Sequence, residues 1–434
     1  MSKPFPTSAA IRPTVAERSR AGSADPVRLC LVSQEYPPET AHGGIGTQTH
    51  LKAHGLAALG HEVHVISRSC DEQTHTTSDG QVRVTRVPGL EHRFPVHTTE
   101  VDWLTYSTQV AAAVSDLHER RPLDLIEFPE WGCEGYVHLL NRTRWNSIAT
   151  VVHLHGPLVM FAHAIGWPEI DSELYRVGNA MEGACLRLAD RILSSSRCSA
   201  EWCARHYGVA ADSVPVLHTG VDTDLFRPRA ITRDDRPTVV FVGNISGNKG
   251  VGTLVKAACA IAPGFPGLRL KLIGRGKPEY VQELLDHARA AGLPDLLEFT
   301  GFVAREELPR HLCTADVFAA PSCYEGGPGF VYLEAMACGL PVLACAGSGA
   351  SEVVTHDVNG LLVAPHDSNA VTGALRALLA DEELRREMGR RARLYVEQHA
   401  DSRDCIRQLE AFYASVVRQH GASAMAADLH GGSA

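Results

Sequence analysis

The chain has 434 residues, of which 44% are apolar and 21% are charged, and its formal net charge is −9. This length predicts two domains, each large enough to bury its own hydrophobic core. The acidic balance, without any densely basic stretch, argues against a nucleic-acid partner. No apolar run approaches the roughly 18 residues of a transmembrane helix, so no membrane span is predicted.

The two ends of the chain and the cysteines indicate the cellular setting. Residues 1–26 are rich in Ser, Ala and Pro and lack the apolar core of a secretion signal, which predicts a disordered tail. Residues 420–434, rich in Gly, Ala and Ser, predict a second one. The twelve cysteines include no CxxC pair and lie mostly in apolar runs. We therefore predict free thiols in a reducing, cytoplasmic setting.

Strands and helices alternate through residues 27–225, the predicted N-terminal, acceptor-side domain. The first unit is a buried strand at 27–33, a helix from Gly43 to about Leu59, and a strand at 61–67. Further predicted strands cover residues 82–87, 123–128, 148–154, 191–196 and 214–218, and further predicted helices cover residues 102–120, 172–189 and 200–206. This alternation predicts a parallel sheet covered by helices on both faces.

A second alternating pattern follows residues 226–237, which contain two prolines and no periodicity and are predicted to be the linker. The predicted C-terminal domain, residues 238–400, has strands at 238–242, 268–273, 297–300, 316–321, 341–344 and 360–363, and helices at 251–262, 279–291, 306–313, 330–338, 367–380 and 382–399. The helix at 401–419 is expected to pack back on the first domain. The fold class is therefore α/β, with two Rossmann-like parallel-sheet domains facing each other across a cleft.

The stretch from Pro321 to Val342 has the features of an anion site. A predicted strand ends at Pro321, a loop with three glycines carries Glu325, and a helix follows that contains Glu334. The free N–H groups and the dipole at a helix start favour phosphate, and glycine permits close approach of the backbone. One carboxylate can then meet a polyol and the other a ribose, as in a sugar nucleotide. A strand-to-helix turn with incidental acids is the alternative.

Two other strand ends carry groups suited to the same ligand. The loop VGNISGNKG places Lys249 just before a helix, where its ammonium can meet a diphosphate. His155 and Gly156 follow a predicted parallel strand at its carboxyl end, so the histidine is expected to point into the ligand crevice. A structural hydrogen-bonding role is the alternative for His155.

The glycines at the first helix resemble half of a dinucleotide fingerprint, but three observations argue against nicotinamide binding. Thr49 occupies the third glycine position, nine residues separate Ser33 from Gly43, and the second strand ends in Ser67 and Arg68 rather than in a carboxylate. An NAD site requires a carboxylate there for the ribose.

No metal site is predicted. The DxD sequence at residues 222–224 lies in a strand-to-linker segment and indicates a capped turn. His50 and His54 are one helical turn apart, and His153 and His155 alternate along a strand. Neither pair has a third ligand at the spacing of a metal site.

Six segments, in order and at familiar spacing, resemble the family 4 retaining glycosyltransferases of the GT-B fold, and the resemblance covers roughly residues 27–419. They are the GGIGT loop, the strand end His155-Gly156, the GVDxxxFxP turn from Gly220 to Pro228, the GxxxxxKG loop from Gly243 to Gly250, the E…LEAMAxGxPV stretch, and the ExVxxxxNGxLV segment from Glu352 to Val363.

The resemblance implies transfer of a hexosyl group from a nucleotide sugar, UDP-linked by family habit, to an acceptor hydroxyl with retention of configuration and without a metal or other cofactor. It implies catalytic roles for His155, Lys249 and Glu325. The implied donor-binding residues are Gly44, Asn244, Lys249, Arg275, Phe302, Glu325, Gly326, Gly327, Gly329 and Glu334. Among these, Lys249 would neutralise the diphosphate, Glu325 would contact sugar hydroxyls, and Glu334 would hold the ribose.

The sequence departs from the family pattern at two places. Asn244 stands where the family usually has Arg, so the charge for the diphosphate must come from elsewhere, and Arg275 is one candidate. Eight residues, not the usual seven, separate Glu325 from Glu334, which leaves the position of Glu325 to be decided by the fold of the loop.

Other functions fit the same architecture: a phosphorylase, a sugar-nucleotide epimerase, or a non-catalytic sugar-nucleotide sensor. An oxidoreductase fits least well. The acceptor can be a small molecule, a glycan or a lipid. A soluble acceptor is favoured because no basic amphipathic helix is evident. The sequence leaves the oligomeric state open.

Overall fold

The structure, a computed structural model, describes residues 26–40, 44–71, 73–89, 98–143, 147–232 and 234–431. The predicted tail, except Pro26, and the predicted helix start at Gly43 lie outside these ranges. Two predominantly parallel sheets, each with its own hydrophobic core, confirm the predicted fold class. No helix among the described residues combines the length and hydrophobicity needed to cross a bilayer.

The N-terminal lobe is built on a seven-stranded sheet in the order β3-β4-β2-β1-β5-β6-β7. Its strands are β1 (Arg28–Val32), β2 (Glu62–Arg68), β3 (His75–Asp79), β4 (Val82–Val87), β5 (Leu125–Pro129), β6 (Ala149–Leu154) and β7 (Arg191–Ser194). Its helices are α1 (Gly44–Ala58), α2 (Thr99–Arg120), α3 (Tyr136–Asn141), α4 (Leu158–Ile165), α5 (Glu173–Leu188) and α6 (Arg197–Tyr207). The central strands are buried on both faces, which is why they read as continuous apolar runs.

The C-terminal lobe is built on a six-stranded parallel sheet in the order β10-β9-β8-β11-β12-β13. Its strands are β8 (Thr238–Val242), β9 (Arg269–Ile273), β10 (Leu297–Gly301), β11 (Val317–Ala319), β12 (Val342–Cys345) and β13 (Gly360–Val363). Its helices are α7 (Val251–Ile261), α8 (Pro278–Ala290), α9 (Leu308–Cys313), α10 (Phe330–Ala337), α11 (Ser368–Ala380) and α12 (Glu382–His399).

The last helix, α13 (Ser402–Gly431), returns to the N-terminal lobe. Ile406, Leu409 and Tyr413 are buried in the same hydrophobic cluster as β1 and α1. The Tyr413 hydroxyl donates to Glu127 in β5, so a polar contact joins this helix to the sheet as well. The predicted tail from residue 420 is wrong as far as Gly431, because the helix continues that far.

The N-terminal lobe differs from the sequence prediction in several elements. Residues 214–218 do not form a strand, because only Val216 pairs, through one isolated bridge to Ser194. The short helices α3 and α4 are not among the predicted elements. Neither is β3, an antiparallel edge strand whose sequence HTTSD has no apolar alternation. Edge strands and short helices depend on tertiary packing more than on their own periodicity.

Candidate active site in the interlobe cleft

Lys249 and Glu325 form an ion pair at the carboxyl edge of the C-terminal sheet. Their Nζ and Oε1 atoms lie 2.8 Å apart, and the side chains are 26% and 14% exposed. Lys249 ends a short turn before α7. The next residue, Gly250, has φ +71°, and a Cβ there would lie 2.0 Å from the Pro321 carbonyl oxygen, so only glycine lets the two loops meet. Despite its longer spacing from Glu334, Glu325 reaches the lysine.

The loop after β11 leads directly into the first turn of α10. Gly329 precedes the helix with φ +70°, and a Cβ there would lie 3.9 Å from Oε2 of Glu325. No side chain caps α10 and its first turn carries no acidic residue. The positive end of the helix dipole therefore adds to the charge of Lys249 beside Glu325.

Glu334, one turn into α10, is paired with an arginine that the sequence analysis did not select. Its carboxylate is 3% exposed and lies 2.6 Å from Nη1 of Arg305, in the loop between β10 and α9. Burial raises the pKa of the Glu334 carboxyl, and Arg305 opposes that shift. The buried Nη2 atom of Arg305 makes no hydrogen bond to any described residue.

Asn244, Arg275 and Phe302 lie together at the ends of neighbouring strands. The backbone N–H of Ile245 donates to the Arg275 carbonyl at 2.7 Å, which places Asn244 beside Arg275. The Arg275 guanidinium lies 5.0 Å from the centre of the Phe302 ring, and that ring is 65% exposed. This exposed cation–aromatic pair is suited to a flat, electron-rich group such as a nucleotide base.

His155 follows β6 in the N-terminal lobe, and its backbone is hydrogen-bonded to a buried carboxylate. Oε1 of Glu130 accepts hydrogen bonds from the backbone N–H groups of His155 and Gly156 at 2.7 and 2.5 Å. Burial raises the pKa of Glu130 to about 7, although these two bonds oppose the shift. Burial also holds the pKa of His155 well below its usual range, so its ring is neutral near neutral pH.

The neighbouring histidine, His153, belongs to a buried polar network beneath the His155 ring, on which it stacks at 4.5 Å. Its Nδ1 atom lies 3.2 Å from both the Lys52 ammonium and the Glu127 carboxylate. Its Nε2 atom lies 3.0 Å from the Ser195 hydroxyl. Burial opposes ionisation of Glu127, but Lys52 and His153 hold the pKa of its carboxyl below the usual range.

The two lobes meet at the glycines after Glu325. The carbonyl oxygen of Gly326 accepts hydrogen bonds from the hydroxyls of Ser196 and Ser199, at 2.5 and 2.6 Å. Glu352 accepts from the backbone N–H groups of Arg197 and Cys198 at the start of α6, each at 2.9 Å. These contacts bring the loop that carries Glu325 to the strand end that carries His155.

Of the remaining predicted donor-binding residues, Gly327 lies in the loop that carries Glu325, whereas Gly44 lies in the N-terminal lobe. A Cβ on Gly327 would lie 3.7 Å from Ser195 Cβ, so this glycine also faces the N-terminal lobe. Gly44 begins α1, and a Cβ there would meet no atom within 4 Å.

Sequence reasoning missed three residues of this arrangement: Glu130, Arg305 and Glu352. Glu130 follows β5 at the sheet edge where His155 follows β6, so the strand-end rule that selected His155 would also have found Glu130. Glu352 lies inside a recognised segment but was given no role. Arg305 has no local signal, because its partner is 29 positions away.

The candidate metal ligands separate into two cases. Asp222 caps a turn, since its Oδ1 accepts from the backbone N–H groups of Asp224 and Leu225 at 2.9 and 3.0 Å, as the sequence predicts. For His50 and His54, sequence spacing indicates no third ligand, but the fold places the Asp79 carboxylate of β3 beside both rings. The fold supplies this carboxylate through the pairing of β3 with β4, which sequence spacing does not reveal.

Two Rossmann-like lobes with a lysine, two carboxylates and a helix start at their junction form the architecture of the GT-B class of glycosyltransferases. Two family models confirm this class. The model of the glycosyl transferase 4-like domain matches residues 43–220, and the model of the glycosyl transferases group 1 matches residues 222–395. The chain belongs to this family of glycosyltransferases, in agreement with the resemblance found in the sequence.

Several relatives and one solved structure extend the match over most of the chain. A GDP-mannose-dependent alpha-(1-6)-phosphatidylinositol monomannoside mannosyltransferase of Mycolicibacterium smegmatis is 34% identical over 385 residues, which cover 83% of this chain and 91% of that protein. A D-inositol 3-phosphate glycosyltransferase of Xylanimonas cellulosilytica is 31% identical and covers 83% and 88%. The structure of sucrose-phosphate synthase from Thermosynechococcus elongatus has a TM-score of 0.77 at 25% identity, covering 91% and 99%.

The alignment is shorter for one relative. The mannosyltransferase of the same name from Mycobacterium tuberculosis H37Rv is 36% identical over 252 residues, and this match spans 63% of its length, slightly less than two thirds.

Proposed function

We propose that this protein transfers a hexosyl group from a nucleoside diphosphate hexose to an acceptor hydroxyl, with retention of the anomeric configuration. The observation that carries the proposal is the Lys249–Glu325 pair beside the start of α10, facing the strand end that carries His155. A cation and amide dipoles suit a departing diphosphate, and an adjacent carboxylate suits sugar hydroxyls.

The donor is assigned to the C-terminal lobe. Lys249 and the first turn of α10 would hold the diphosphate. The Glu334 carboxylate would accept hydrogen bonds from the ribose hydroxyls, and Arg275 with Phe302 would contact the base. We assign a further donor contact to Arg305, because its charge lies at Glu334 and its Nη2 atom has no protein partner among the described residues.

The chemical step needs stabilisation of negative charge on the leaving group. The bond between the anomeric carbon and the diphosphate oxygen breaks, and its electron pair leaves with the diphosphate. The acceptor oxygen attacks from the same face, and its proton passes to the departing phosphate oxygen. Lys249 stabilises the negative charge that develops on the departing diphosphate. One preorganised group of this kind typically lowers the activation barrier by about 3–4 kcal/mol. The neutral ring of His155 offers a hydrogen bond rather than a charge to the sugar.

The nucleotide and the acceptor are proposed from the relatives. The mannosyltransferase relatives are named as GDP-mannose-dependent, so GDP-mannose is the first donor to test. UDP-glucose is the second, as one example of the UDP-linked hexoses expected from the sequence. The names of two relatives share an inositol phosphate group, which makes an inositol phosphate or its lipid-linked form the first acceptor class. The N-terminal side of the cleft, near His155 and the rings of Phe161 and Tyr324, is assigned to the acceptor. These two rings lie 4.5 Å apart.

The test is a transfer assay with purified full-length protein. GDP-mannose and UDP-glucose are each incubated with inositol 3-phosphate, with phosphatidylinositol mannoside in detergent, and without acceptor. Proton NMR of the product reports the anomeric configuration. A product with the donor's configuration supports the proposal, whereas an inverted product refutes retention.

The remaining alternatives give different results in the same assay. A phosphorylase would form sugar 1-phosphate from the donor when inorganic phosphate is added. An epimerase would convert the donor in the absence of any acceptor. A sensor would be stabilised by the donor without turning it over. At a donor concentration of a hundred times the dissociation constant, the free energy of unfolding should rise by about 2.7 kcal/mol, which a thermal shift detects.

A further inference from the structure

The N-terminal lobe contains a cluster of imidazole and carboxylate groups to which the proposed function assigns no role. His50 and His54 lie one turn apart on α1, and Asp79 ends the edge strand β3. Oδ2 of Asp79 lies 2.9 Å from Nε2 of His54 and 3.5 Å from Nε2 of His50. One potential ligand atom from each of the three residues lies within 4.8 Å of the other two.

We propose that His50, His54 and Asp79 bind a divalent transition-metal ion of the Zn²⁺ class. Two imidazoles and one carboxylate are a ligand set that Zn²⁺ uses, with a fourth position open to water. Mg²⁺ and Ca²⁺ prefer oxygen ligands and fit this set poorly. The three side chains are 35–41% exposed, so the cluster lies at the surface of the lobe.

The surroundings of the cluster hold its ligands in place. The hydroxyl of Tyr36, a residue that is 0% exposed, donates to Oδ2 of Asp79 at 2.9 Å, an outer-sphere contact of the kind that orients metal-binding carboxylates. The rings of His50 and His54 lie 4.2 Å apart, so both imidazoles face the same side of α1. The geometry is therefore formed before an ion enters.

A bound ion would connect two elements that belong to different parts of the lobe. It would tie the middle of α1 to the β3–β4 hairpin at the sheet edge, and α1 begins at Gly44, one of the residues assigned to the donor. None of the three ligands is among the residues assigned to the donor or to catalysis, although Arg305 lies close enough to act electrostatically on His50. The proposal is independent of the proposed transfer reaction.

The test is isothermal titration of chelator-treated, tag-free full-length protein with Zn²⁺ alone and with Mg²⁺ alone. We expect one saturable Zn²⁺ equivalent and no such equivalent for Mg²⁺. His54→Gln and Asp79→Asn should abolish this equivalent. Tyr36→Phe should weaken its affinity roughly 10- to 100-fold, the usual effect of losing an outer-sphere partner. Absence of a saturable equivalent in the unaltered protein would overturn the proposal.

A matched control comes from another histidine pair of the same lobe. The rings of His163 and His206 lie 5.4 Å apart without forming a three-ligand group with any described carboxylate. The double variant His163→Gln/His206→Gln should keep the Zn²⁺ equivalent at full affinity. If it loses the equivalent, or if Asp79→Asn binds like the unaltered protein, the ion binds elsewhere and the cluster is held by hydrogen bonds only.

A second measurement does not depend on the variants folding. Co²⁺ bound to the unaltered protein should give the intense visible absorption of a four-coordinate site, and Zn²⁺ should remove it by displacement. Weak absorption typical of hydrated Co²⁺ would contradict the proposal.

Discussion

Gly326 of the C-terminal lobe lies directly against the backbone of His155 in the N-terminal lobe. A Cβ at position 326 would stand 2.4 Å from the carbonyl oxygen of His155 and 3.1 Å from Cα of Gly156. A separation of 2.4 Å is far below a van der Waals contact, so any side chain there must push the lobes apart. The residue next to Glu325 thus sets how closely Lys249 and Glu325 of one lobe approach His155 of the other.

Gly326→Ala should open the cleft while leaving each lobe folded. We expect a larger radius of gyration in small-angle X-ray scattering and a marked loss of transfer activity. Gly264→Ala is the control, because a Cβ at that exposed glycine would meet nothing within 4 Å. An active Gly326→Ala variant with unchanged scattering would show that the loop can shift without opening the lobes.

Lys249→Ala should reduce turnover without unfolding the protein. Loss of a preorganised charge at the leaving group lowers kcat by roughly 100- to 1,000-fold. The lysine is partly exposed, so the thermal midpoint should change little. Initial rates at saturating donor provide the measurement, and Lys256→Ala, an exposed lysine on α7, is the control. Equal kcat values for Lys249→Ala and the unaltered protein would remove the proposed charge role.

Arg305→Ala should weaken donor binding more than it changes the chemical step. A hydrogen bond to a charged group contributes about 1.5–3 kcal/mol, so the donor KM should rise at least roughly tenfold. Arg305→Lys keeps the charge without the planar guanidinium and should restore part of the affinity. Thermal-shift titration with the donor gives the same comparison without turnover. Arg310→Ala, at an exposed position on α9, should bind donor normally, and equal donor affinity in Arg305→Ala would exclude the contact.

Glu130→Gln should become more stable than the unaltered protein as the pH rises from about 4.5 to 7. The folded protein keeps a proton on Glu130 up to about pH 7, whereas an exposed carboxyl releases it near pH 4.5. Stability of the unaltered protein is therefore lost between these values, by up to about 1.4 kcal/mol per pH unit. The glutamine oxygen can accept the same two backbone hydrogen bonds without titrating.

The measurement for Glu130→Gln is the difference in thermal midpoint between variant and unaltered protein from pH 4.5 to 8.5. This difference should grow in favour of the variant up to about pH 7 and then level off. Glu201→Gln, at an exposed position on α6, is the control and should show no such trend. A difference that is constant with pH would mean that Glu130 is ionised throughout.

The sequence by itself determined the two parallel-sheet lobes and the segments that carry Lys249, Glu325 and Glu334. These features are local: a buried strand, a glycine loop and a helix start are encoded within some twenty residues, and apolar runs report strands buried on both faces. The edge strand β3 escaped prediction because it is polar and depends on its pairing with β4.

Only the tertiary structure decided which side chains meet. Arg305 pairs with Glu334, which is 29 positions away in the chain. The backbone of Gly326 packs against His155, 171 positions away, and Asp79 contacts His54, 25 positions away. No local periodicity encodes such distances, because they follow from strand order and from the closing of two lobes. Propensity and spacing therefore identified the type of ligand, whereas packing fixed the charges that surround it.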